Sequence, residues 1–195
     1  MKAAAGGSGD VIQFWFSPSE LTDTASVRRR WFVKDPAFDR EIINRFLPLH
    51  DQAAAGALDD WLTEAESALA LVLVLDQFPR NMFRDTPRAF ATDRVARAAA
   101  SHALAQGFDR SMEPDRRQFF YVPFEHSEAL ADQEICLRLT AAMPGADQPK
   151  SLYQWALAHH AIIARFGRFP HRNAILGRTS TPEELAFLAR PGSHF

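Results

Sequence analysis

Cysteine is nearly absent from the chain, since Cys136 is the single one among 195 residues. One cysteine cannot form a disulfide within the chain, and it cannot build a zinc site from several cysteines. The longest apolar run, LALVLVL at residues 69–75, is far shorter than the roughly 20 residues that a membrane-spanning helix needs. The start of the chain, MKAAAGGSGD, lacks the apolar core of a signal peptide. We therefore expect a cytoplasmic protein with no membrane partner.

Neither sign of charge dominates the sequence. Lysine and arginine number 22 and aspartate and glutamate 24, which gives a formal net charge of -2. A nearly neutral chain gains no global attraction to nucleic acid or to an anionic membrane. The stretch RRRWF at residues 28–32 combines basic and aromatic residues, but three adjacent arginines point around a helix rather than along one face. We therefore expect solvated charge there and no nucleic-acid partner.

Several motifs of known chemistry are also missing. The sequence has no Gly-rich phosphate loop, no GxSxG elbow and no dinucleotide fingerprint. No motif therefore identifies a cofactor. The sequence also has no HExxH, no ExxH and no two histidines four residues apart. No metal site is predicted, and the evidence for function has to come from clusters of side chains.

The patterns that are present are helical. Hydrophobic residues make up 47% of the chain and charged residues 24%, as in an ordinary globular domain. Phe38, Ile42 and Phe46 recur at helical spacing in residues 37–56. The apolar run at residues 69–75 is ambiguous between a strand and a helix, and the leucines and alanines beside it favour a helix that is buried all round.

Signals at helix ends support the same interpretation. Asp10 and Ser127 are positioned as N-caps, and Gly167 can end a helix. Thr181 begins a capping box that Glu184 completes. We predict an all-α protein of packed antiparallel helix pairs with about eight or nine helices. Its predicted organisation is a flexible tail over residues 1–8 and a single all-helical domain over residues 9–195.

Two parts of the sequence echo each other. FPRNMFRDTPRAF at residues 78–90 and FPHRNAILGRTSTPEELAF at residues 169–187 both run through Phe-Pro, Arg-Asn, an arginine, Thr-Pro and Ala-Phe. We call them the first and second Phe-Pro segments. Each follows an apolar helix and precedes a predicted helix start. The echo suggests two related helix-turn-helix units, as in helical repeat proteins.

Longer motifs give a family resemblance. The stretches LDQFPRN, PFEHSE and RFGRFPHRN, together with QFWF, RWFVKDPAFD, LGR and STPEE, extend over nearly the whole chain. With these motifs the sequence resembles the bacterial family known as domain of unknown function 924. The resemblance implies a helical assembly similar to tetratricopeptide repeats, and it supplies no activity.

A basic cluster follows the helix that Gly167 ends. Its members are Arg165, Arg168, His171, Arg172 and Asn173. Cations near a helix C-terminus interact favourably with the helix dipole, so a structural role explains part of the cluster. Arginines beside aromatic residues can also pair with buried carboxylates or bind an anion through two guanidinium N–H groups.

Two further clusters contain acidic groups. Asp76 and Gln77 follow an apolar run and precede Arg80 and Asn81, and a buried carboxylate requires a cation close by. If the two Phe-Pro segments face each other, Asp76 would pair with Arg168 or Arg172, and Arg80 with a glutamate of residues 125–128.

The stretch PFEHSE places an imidazole between two carboxylates. Glu125, His126 and Glu128 lie together at a predicted helix start, and this combination suits general acid or base work near neutral pH. A structural histidine is the competing interpretation of His126. Ser127 beside His126 is not a triad, because a triad is defined by spatial geometry.

These clusters lead to one functional hypothesis with two alternatives. We predict an internal pocket for a small anionic molecule, a carboxylate or phosphate ester, and leave open whether it is an acid/base enzyme. The predicted catalytic residues are His126, Glu128 and His171. The predicted ligand-binding residues are Asp76, Gln77, Arg80, Asn81, Glu125, Arg165, Arg168, Arg172 and Asn173. The alternatives are a tetratricopeptide-like scaffold that binds a peptide and a purely structural Arg/Asp/Glu network. The sequence sets no oligomeric state.

Overall fold

The computed structural model describes residues 6–16, 27, 29–31 and 33–191. Within these ranges every regular element is helical, no strand occurs, and nine α-helices are present. The all-α prediction and its helix number are confirmed. The helices are α1 (Ser8–Phe16), α2 (Pro36–Ala54), α3 (Ala65–Val72), α4 (Phe78–Met82), α5 (Asp93–Ala105), α6 (Pro114–Glu125), α7 (Leu130–Ala141), α8 (Leu152–Phe166) and α9 (Pro182–Leu188).

Short 3-10 turns lie between several of these helices. They span Asp59–Thr63, Pro87–Phe90, Phe108–Ser111 and Pro170–Arg172. Residues 1–5 of the predicted tail, and Arg28 and Phe32 of the RRRWF stretch, lie outside the described residues. No helix in the described ranges is long and apolar enough to cross a membrane. A tetratricopeptide-like arrangement is compatible with these helices and stays a prediction.

The chain divides into two compact units. The first unit comprises Met1–Arg84 and Arg88–Phe120, and the second comprises Asp85–Pro87 and Tyr121–Phe195. Both Phe-Pro segments begin inside a unit, one in each. The predicted single domain over residues 9–195 stays a prediction.

Helix α2 shows how sequence pattern becomes core in the first unit. Asp35 caps the helix by accepting the Ala37 N–H at 2.8 Å, which satisfies a backbone donor that has no partner inside the helix. Phe38, Ile42 and Phe46 are at most 3% exposed, as their helical spacing predicts. Burying a side chain of this size contributes about 1.5–3 kcal/mol each, so this face stabilises the unit strongly.

The start of helix α1 differs from the prediction. Asp10 was expected to cap it, but the helix begins at Ser8, so Asp10 lies in the first turn. The Asp10 carboxylate accepts the Gly7 N–H at 2.8 Å. A carboxylate in a first turn is still favourable, because the helix dipole is positive there. The N-cap prediction was therefore displaced by three residues.

A π-helical turn at Leu73–Gln77 joins α3 to α4. Pro79, which has no N–H to donate, lies just after the turn. The Phe78 N–H bonds to the carbonyl of Leu73, five residues back. The next residue cannot donate, so the carbonyls of Val74 and Leu75 need side-chain donors instead.

Two buried side chains supply those donors. His50 Nδ1 lies 3.1 Å from the Val74 carbonyl oxygen, and the Thr92 hydroxyl donates to the Leu75 carbonyl at 2.6 Å. Because a carbonyl can only accept, His50 carries its proton on Nδ1. Burial lowers the pKa of His50, although the bond to Val74 opposes that shift. The predicted helix over residues 69–75 is confirmed, and its last residues are wound as this π turn.

In the second unit, the side chain of Gln133 holds the connection between α6 and α7. This fully buried amide donates from Nε2 to the carbonyl oxygens of Glu125 at 2.6 Å and Ser127 at 2.7 Å. Helix α7 begins at Leu130 rather than at Ser127, which was predicted to cap it. The Ser127 hydroxyl instead donates to Asp132 at 2.6 Å and accepts the Ala129 N–H. Residues 125–128 therefore end one helix and do not begin the next.

Helices α7 and α8 pack against each other in the second unit. Helix α8 starts after the cap Ser151. It stops at Gly167, as predicted. Gly167 adopts a left-handed conformation with φ 67°, and its N–H bonds to Ile163 at 2.8 Å. Glycine reaches this conformation without steric cost, so the chain leaves the helix there.

Candidate functional site

Arg80 is enclosed by acceptors within the first unit. It donates to both carboxylate oxygens of Asp93 at 2.9 and 3.1 Å, and to the Asp76 carbonyl at 2.6 Å. Its Nη1 also lies 3.3 Å from the fully buried carboxylate of Asp76. Burial lowers the pKa of Arg80, but the charges of Asp76 and Asp93 outweigh it and the pKa is raised overall. The partners of Arg80 are thus Asp76 and Asp93, and the expected pairing with Glu125 or Glu128 is corrected.

Gln77 and Asn81, two other predicted ligand residues, also donate to carboxylates of the first unit. Gln77 Nε2 donates to Asp76 at 2.6 Å. Asn81 Nδ2 donates to Asp39 at 2.8 Å. Arg84 reinforces the second contact with two bonds to Asp39, at 2.9 and 2.8 Å. This part of the first Phe-Pro segment therefore docks α4 onto the first turn of α2.

Sequence reasoning missed Asp39, Arg84 and Asp93 in this arrangement. Asp39 lies 42 residues before Asn81 and 45 before Arg84, and no local pattern marks such a distant partner. Asp93 lies 13 residues after Arg80. The one usable signal was the buried carboxylate predicted at Asp76, which requires a cation but does not identify it.

In the second unit, Glu128 and Arg178 form a bidentate ion pair. The Arg178 guanidinium donates to the two Glu128 oxygens at 2.7 and 2.9 Å. Glu128 also accepts the Phe169 N–H at 2.8 Å, while Arg178 donates to the Phe169 carbonyl at 3.1 Å. Burial raises the pKa of Glu128, but Arg178, the Phe169 N–H and the charge of Arg172 together lower it. The segments at residues 125–128 and 165–173 therefore meet, as predicted.

Arg168 pairs with Glu184 of α9. The guanidinium donates at 2.6 and 2.8 Å to the two Glu184 oxygens and at 2.9 Å to the Thr179 carbonyl. Glu184 also accepts the Thr181 N–H at 2.7 Å in the predicted capping box, which is confirmed. The bonds from Arg168 hold the pKa of Glu184 at about 2 in spite of its burial.

Asn173 and Arg165 make further polar contacts in this unit. Asn173 Nδ2 donates to Ser180 at 3.0 Å and to Glu184 at 3.2 Å. Arg165 pairs with Glu183 at 2.6 Å, and both side chains are largely exposed, at 44% and 64%. Arg165 therefore lies at the surface rather than among the buried groups.

Two of the remaining predicted residues, His171 and Arg172, lie beside the ring of Phe169. We call Glu125, His126, His159, His171 and Arg172 the imidazole cluster. Phe169 is fully buried, and its ring centre lies 5.7 Å from that of His159, 5.5 Å from that of His171 and 4.5 Å from the guanidinium carbon of Arg172. Glu125 Oε1 lies 3.4 Å from His159 Nδ1.

His159 was not predicted as a site residue, although it lies at the centre of the imidazole cluster. Its Nδ1 bonds to the Trp155 carbonyl at 2.9 Å, so Nδ1 carries the proton. Burial lowers the pKa of His159 to about 3, the bond to Trp155 opposes the shift, and the charges of His126, Arg172 and His171 add to it. His159 is therefore neutral at physiological pH. Its signal in the sequence was weak, because a lone histidine on a helix most often belongs to the core.

Cys136 borders the imidazole cluster. Its sulfur lies 4.0 Å from Glu125 Oε2. Burial, with the charge of Glu125, raises the pKa of this thiol, so the thiolate is disfavoured. Because the thiolate is the reactive form, Cys136 is unsuited to nucleophilic chemistry.

Across the described part of the chain, no three His, Cys, Asp or Glu side chains are arranged to hold a metal ion.

The structure therefore places the predicted residues in two groups. Asp76, Gln77, Arg80 and Asn81 belong to the first unit, while the others belong to the second. That these residues share one internal pocket, and that they bind a ligand, stay predictions.

Comparisons with known proteins give a family and no activity. Residues 11–192 match the family described as bacterial protein of unknown function (DUF924). A solved structure with a similar fold is the protein of unknown function ATU0120 from Agrobacterium tumefaciens. The two chains are 43% identical, the likeness covers 93% of this chain and 96% of that one, and the TM-score is 0.84. The comparison with curated proteins finds no match. The match over 11–192 confirms the predicted resemblance, and the chain belongs to the DUF924 family.

Proposed function

We propose that the second unit binds a small anion, a carboxylate or phosphate ester, at the imidazole cluster. The observation that carries the proposal is the collection of basic side chains around Phe169. His126, His159, His171 and Arg172 are close enough for the charges of the other three to lower the pKa of His159. A bound anion would offset this mutual repulsion in a poorly solvated place, where charges interact more strongly than in water.

Arg172 is the residue best suited to contact the anion. It is 6% exposed, and its guanidinium lies over the Phe169 ring. A planar guanidinium offers pairs of N–H groups in the geometry that matches a carboxylate or phosphate. Arg80 and Arg168, which the sequence also suggested, are bonded to carboxylates of the chain. The proposal therefore assigns Arg80 and Arg168 to the fold.

Proton exchange with the anion would fall to His126 or His171. Both side chains are half-buried and keep some contact with solvent. His159 is excluded from this role, because a group with a pKa of about 3 is a poor base at neutral pH. His159 would instead present a neutral imidazole of fixed tautomer, since Trp155 and Glu125 hold its Nδ1 side.

The peptide-scaffold alternative requires arginine and asparagine side chains that are open to a partner. Arg80, Arg84, Arg168 and Arg178 are instead bonded to carboxylates, and the amides of Asn81 and Asn173 also donate to carboxylates. For these residues the structural network is favoured. The anion proposal therefore rests on the imidazole cluster alone.

A thermal-unfolding screen tests the proposal. The purified protein is heated with phosphate, phosphate esters and small carboxylates at matched ionic strength. Specific binding at about 100 times Kd adds roughly 2.7 kcal/mol to the free energy of unfolding, which raises Tm by several degrees. We expect a saturable rise with one class of anion, lost in Arg172→Gln and kept in Arg138→Gln, an exposed arginine in the last turn of α7.

Two results would contradict the proposal. The first is no saturable rise with any anion. The second is a rise that is equal in both variants, because phosphate also stabilises proteins by exclusion from their surface.

A further inference from the structure

The turn Pro170–Arg172 carries two members of the imidazole cluster, His171 and Arg172, and has little structure of its own. The Arg172 N–H bonds to the Phe169 carbonyl at 3.1 Å and the Asn173 N–H to the Pro170 carbonyl at 3.0 Å, and from beyond the turn the Leu176 N–H bonds to the Arg172 carbonyl at 2.9 Å. A single 3-10 turn is weak, because its hydrogen bonds have poor geometry and few residues cooperate. The position of both side chains must therefore be fixed by contacts from outside the turn.

Glu128 and Arg178 supply these contacts at both ends of the turn. Before it, Glu128 accepts the N–H of Phe169 at 2.8 Å and Arg178 donates to the carbonyl of the same residue at 3.1 Å. After it, Arg178 Nε donates to Asn173 Oδ1 at 2.9 Å. The two side chains are joined to each other by two bonds of 2.7 and 2.9 Å. The ion pair thus spans the turn.

From this geometry we infer that Glu128 and Arg178 are a positioning pair, which fixes the turn Pro170–Arg172 so that His171 and Arg172 meet the anion of the proposed function. The presence of an anion in this inference rests on the proposed function. The part that concerns the structure of the turn does not depend on it. It changes the role predicted for Glu128 from a catalytic group to a positioning residue. Both Glu128 oxygens already accept bonds from Arg178, which suits a residue that acts through its neighbours.

The pair can be weakened without unfolding the unit. Its side chains are 24% and 28% exposed, so breaking the pair costs less free energy of unfolding than breaking a fully buried pair does. Arg178→Lys keeps the charge but loses the flat fork that reaches Glu128, Phe169 and Asn173 together. Glu128→Gln keeps the shape but loses the charge. Effects on the turn and effects on the fold are therefore separable.

The experiment compares each variant with a matched control. Arg138→Lys controls for Arg178→Lys, and Glu183→Gln, in an exposed pair with Arg165, controls for Glu128→Gln. The first measurement is hydrogen exchange at the Arg172 and Asn173 amides by NMR. The second is the Kd for inorganic phosphate, followed through the ring resonance of His171. Tm is recorded for every variant.

We expect both positioning variants to exchange these two amides about ten-fold faster or more, and to bind phosphate about ten-fold more weakly or worse, at a Tm equal to that of the controls. Glu128→Asp, which keeps the charge on a shorter side chain, should be intermediate. It also serves as the second variant if Glu128→Gln does not fold.

The other outcomes separate the two proposals. Unchanged exchange at Arg172 and Asn173 would overturn the positioning role, whatever the phosphate result. Faster exchange with unchanged phosphate affinity would also overturn it, because the turn would then be held for the fold alone. If the unmodified protein does not bind phosphate, the phosphate form of the proposed function fails, and amide exchange still decides whether the pair holds the turn.

Discussion

The two Phe-Pro segments use similar residues to build different local structures. In both, an asparagine amide donates to a carboxylate in the first turn of a helix: Asn81 to Asp39 of α2 and Asn173 to Glu184 of α9. In both, a later arginine forms a bidentate ion pair, Arg84 with Asp39 and Arg178 with Glu128. The echo in sequence therefore corresponds to a shared way of docking a segment through charged hydrogen bonds.

The difference between the segments lies in how the preceding helix ends. Helix α8 stops at Gly167, so Phe169 and Pro170 lie outside it and Pro170 begins a 3-10 turn. Helix α3 has no such stop and continues through Pro79 by way of the π turn. One glycine thus determines whether Phe-Pro extends a helix or leaves it.

The arginines that follow the two prolines differ accordingly. Arg80 lies between Asp76 and Asp93, whereas Arg172 lies over Phe169 among imidazoles. A cation enclosed by acids is part of the fold, whereas the anion proposal gives Arg172 a second role, based on the imidazoles near it. The similar sequences therefore do not imply similar roles.

The largest expected effect tests whether Arg80 belongs to the fold. Arg80→Ala removes the guanidinium that donates hydrogen bonds to Asp93 and Asp76. Asp76 is fully buried. Breaking a buried ion pair from one side typically costs about 3–5 kcal/mol. We expect a loss of this size in the free energy of unfolding, measured by urea denaturation.

Arg165→Ala is the matched control for Arg80→Ala. Its partner Glu183 is 64% exposed, and exposed pairs contribute about 1 kcal/mol or less. If both variants lost the same small amount, Arg80 would not be a structural residue, and the contrast between the two segments would fail.

Local signals explain which elements could be predicted. The helix over residues 152–166 was recoverable because Ser151, Gly167 and the apolar periodicity all lie within it or at its ends. Caps were displaced at Asp10 and Ser127, because either side chain can satisfy a nearby N–H in more than one way. Local rules set where helices form more firmly than where they start.

The charged contacts were much harder to predict. Burial of Asp76 implied a cation, but the identity of that cation depends on packing between distant parts of the chain. Glu128 and Arg178 are 50 residues apart, and no local sequence pattern near either residue indicates the other as its partner. His159 was missed for a related reason, because its pKa is set by charges that only the fold brings close.

The second effect concerns the acid in the second segment that resembles Asp39. Glu184→Gln removes the charge that accepts two bonds from Arg168. Hydrogen bonds to charged groups contribute about 1.5–3 kcal/mol, so we expect a loss of that order at neutral pH. Glu183→Gln, at the neighbouring exposed position, should lose much less.

The same variant should change how stability depends on pH. The pKa of Glu184 is about 2 in the folded protein and roughly 4.3 in an unfolded chain. The unfolded state therefore binds the proton more readily, and the contribution of Glu184 is full above about pH 4.3 and is lost as pH falls towards 2. Urea midpoints measured from pH 5 to pH 2.5 should fall less steeply for Glu184→Gln. If the urea midpoints of the two proteins fell equally steeply with pH, Glu184 would not contribute to the acid sensitivity.

The smallest effect tests whether Pro79 causes the π turn of the first segment. Thr92→Val removes the hydroxyl that donates to the buried Leu75 carbonyl at 2.6 Å. In a regular helix the Leu75 carbonyl would accept the N–H of residue 79, but Pro79 has none. Without the Thr92 hydroxyl, this buried acceptor is left unsatisfied, which costs about 1–3 kcal/mol of the free energy of unfolding. Adding Pro79→Ala restores an N–H at that position, so Thr92→Val should cost clearly less in the Pro79→Ala background. A double-mutant cycle of urea unfolding measures this coupling. If Thr92→Val cost the same free energy of unfolding in both backgrounds, the π turn would not be caused by Pro79. The difference between the two segments would then need a cause other than a proline inside a helix.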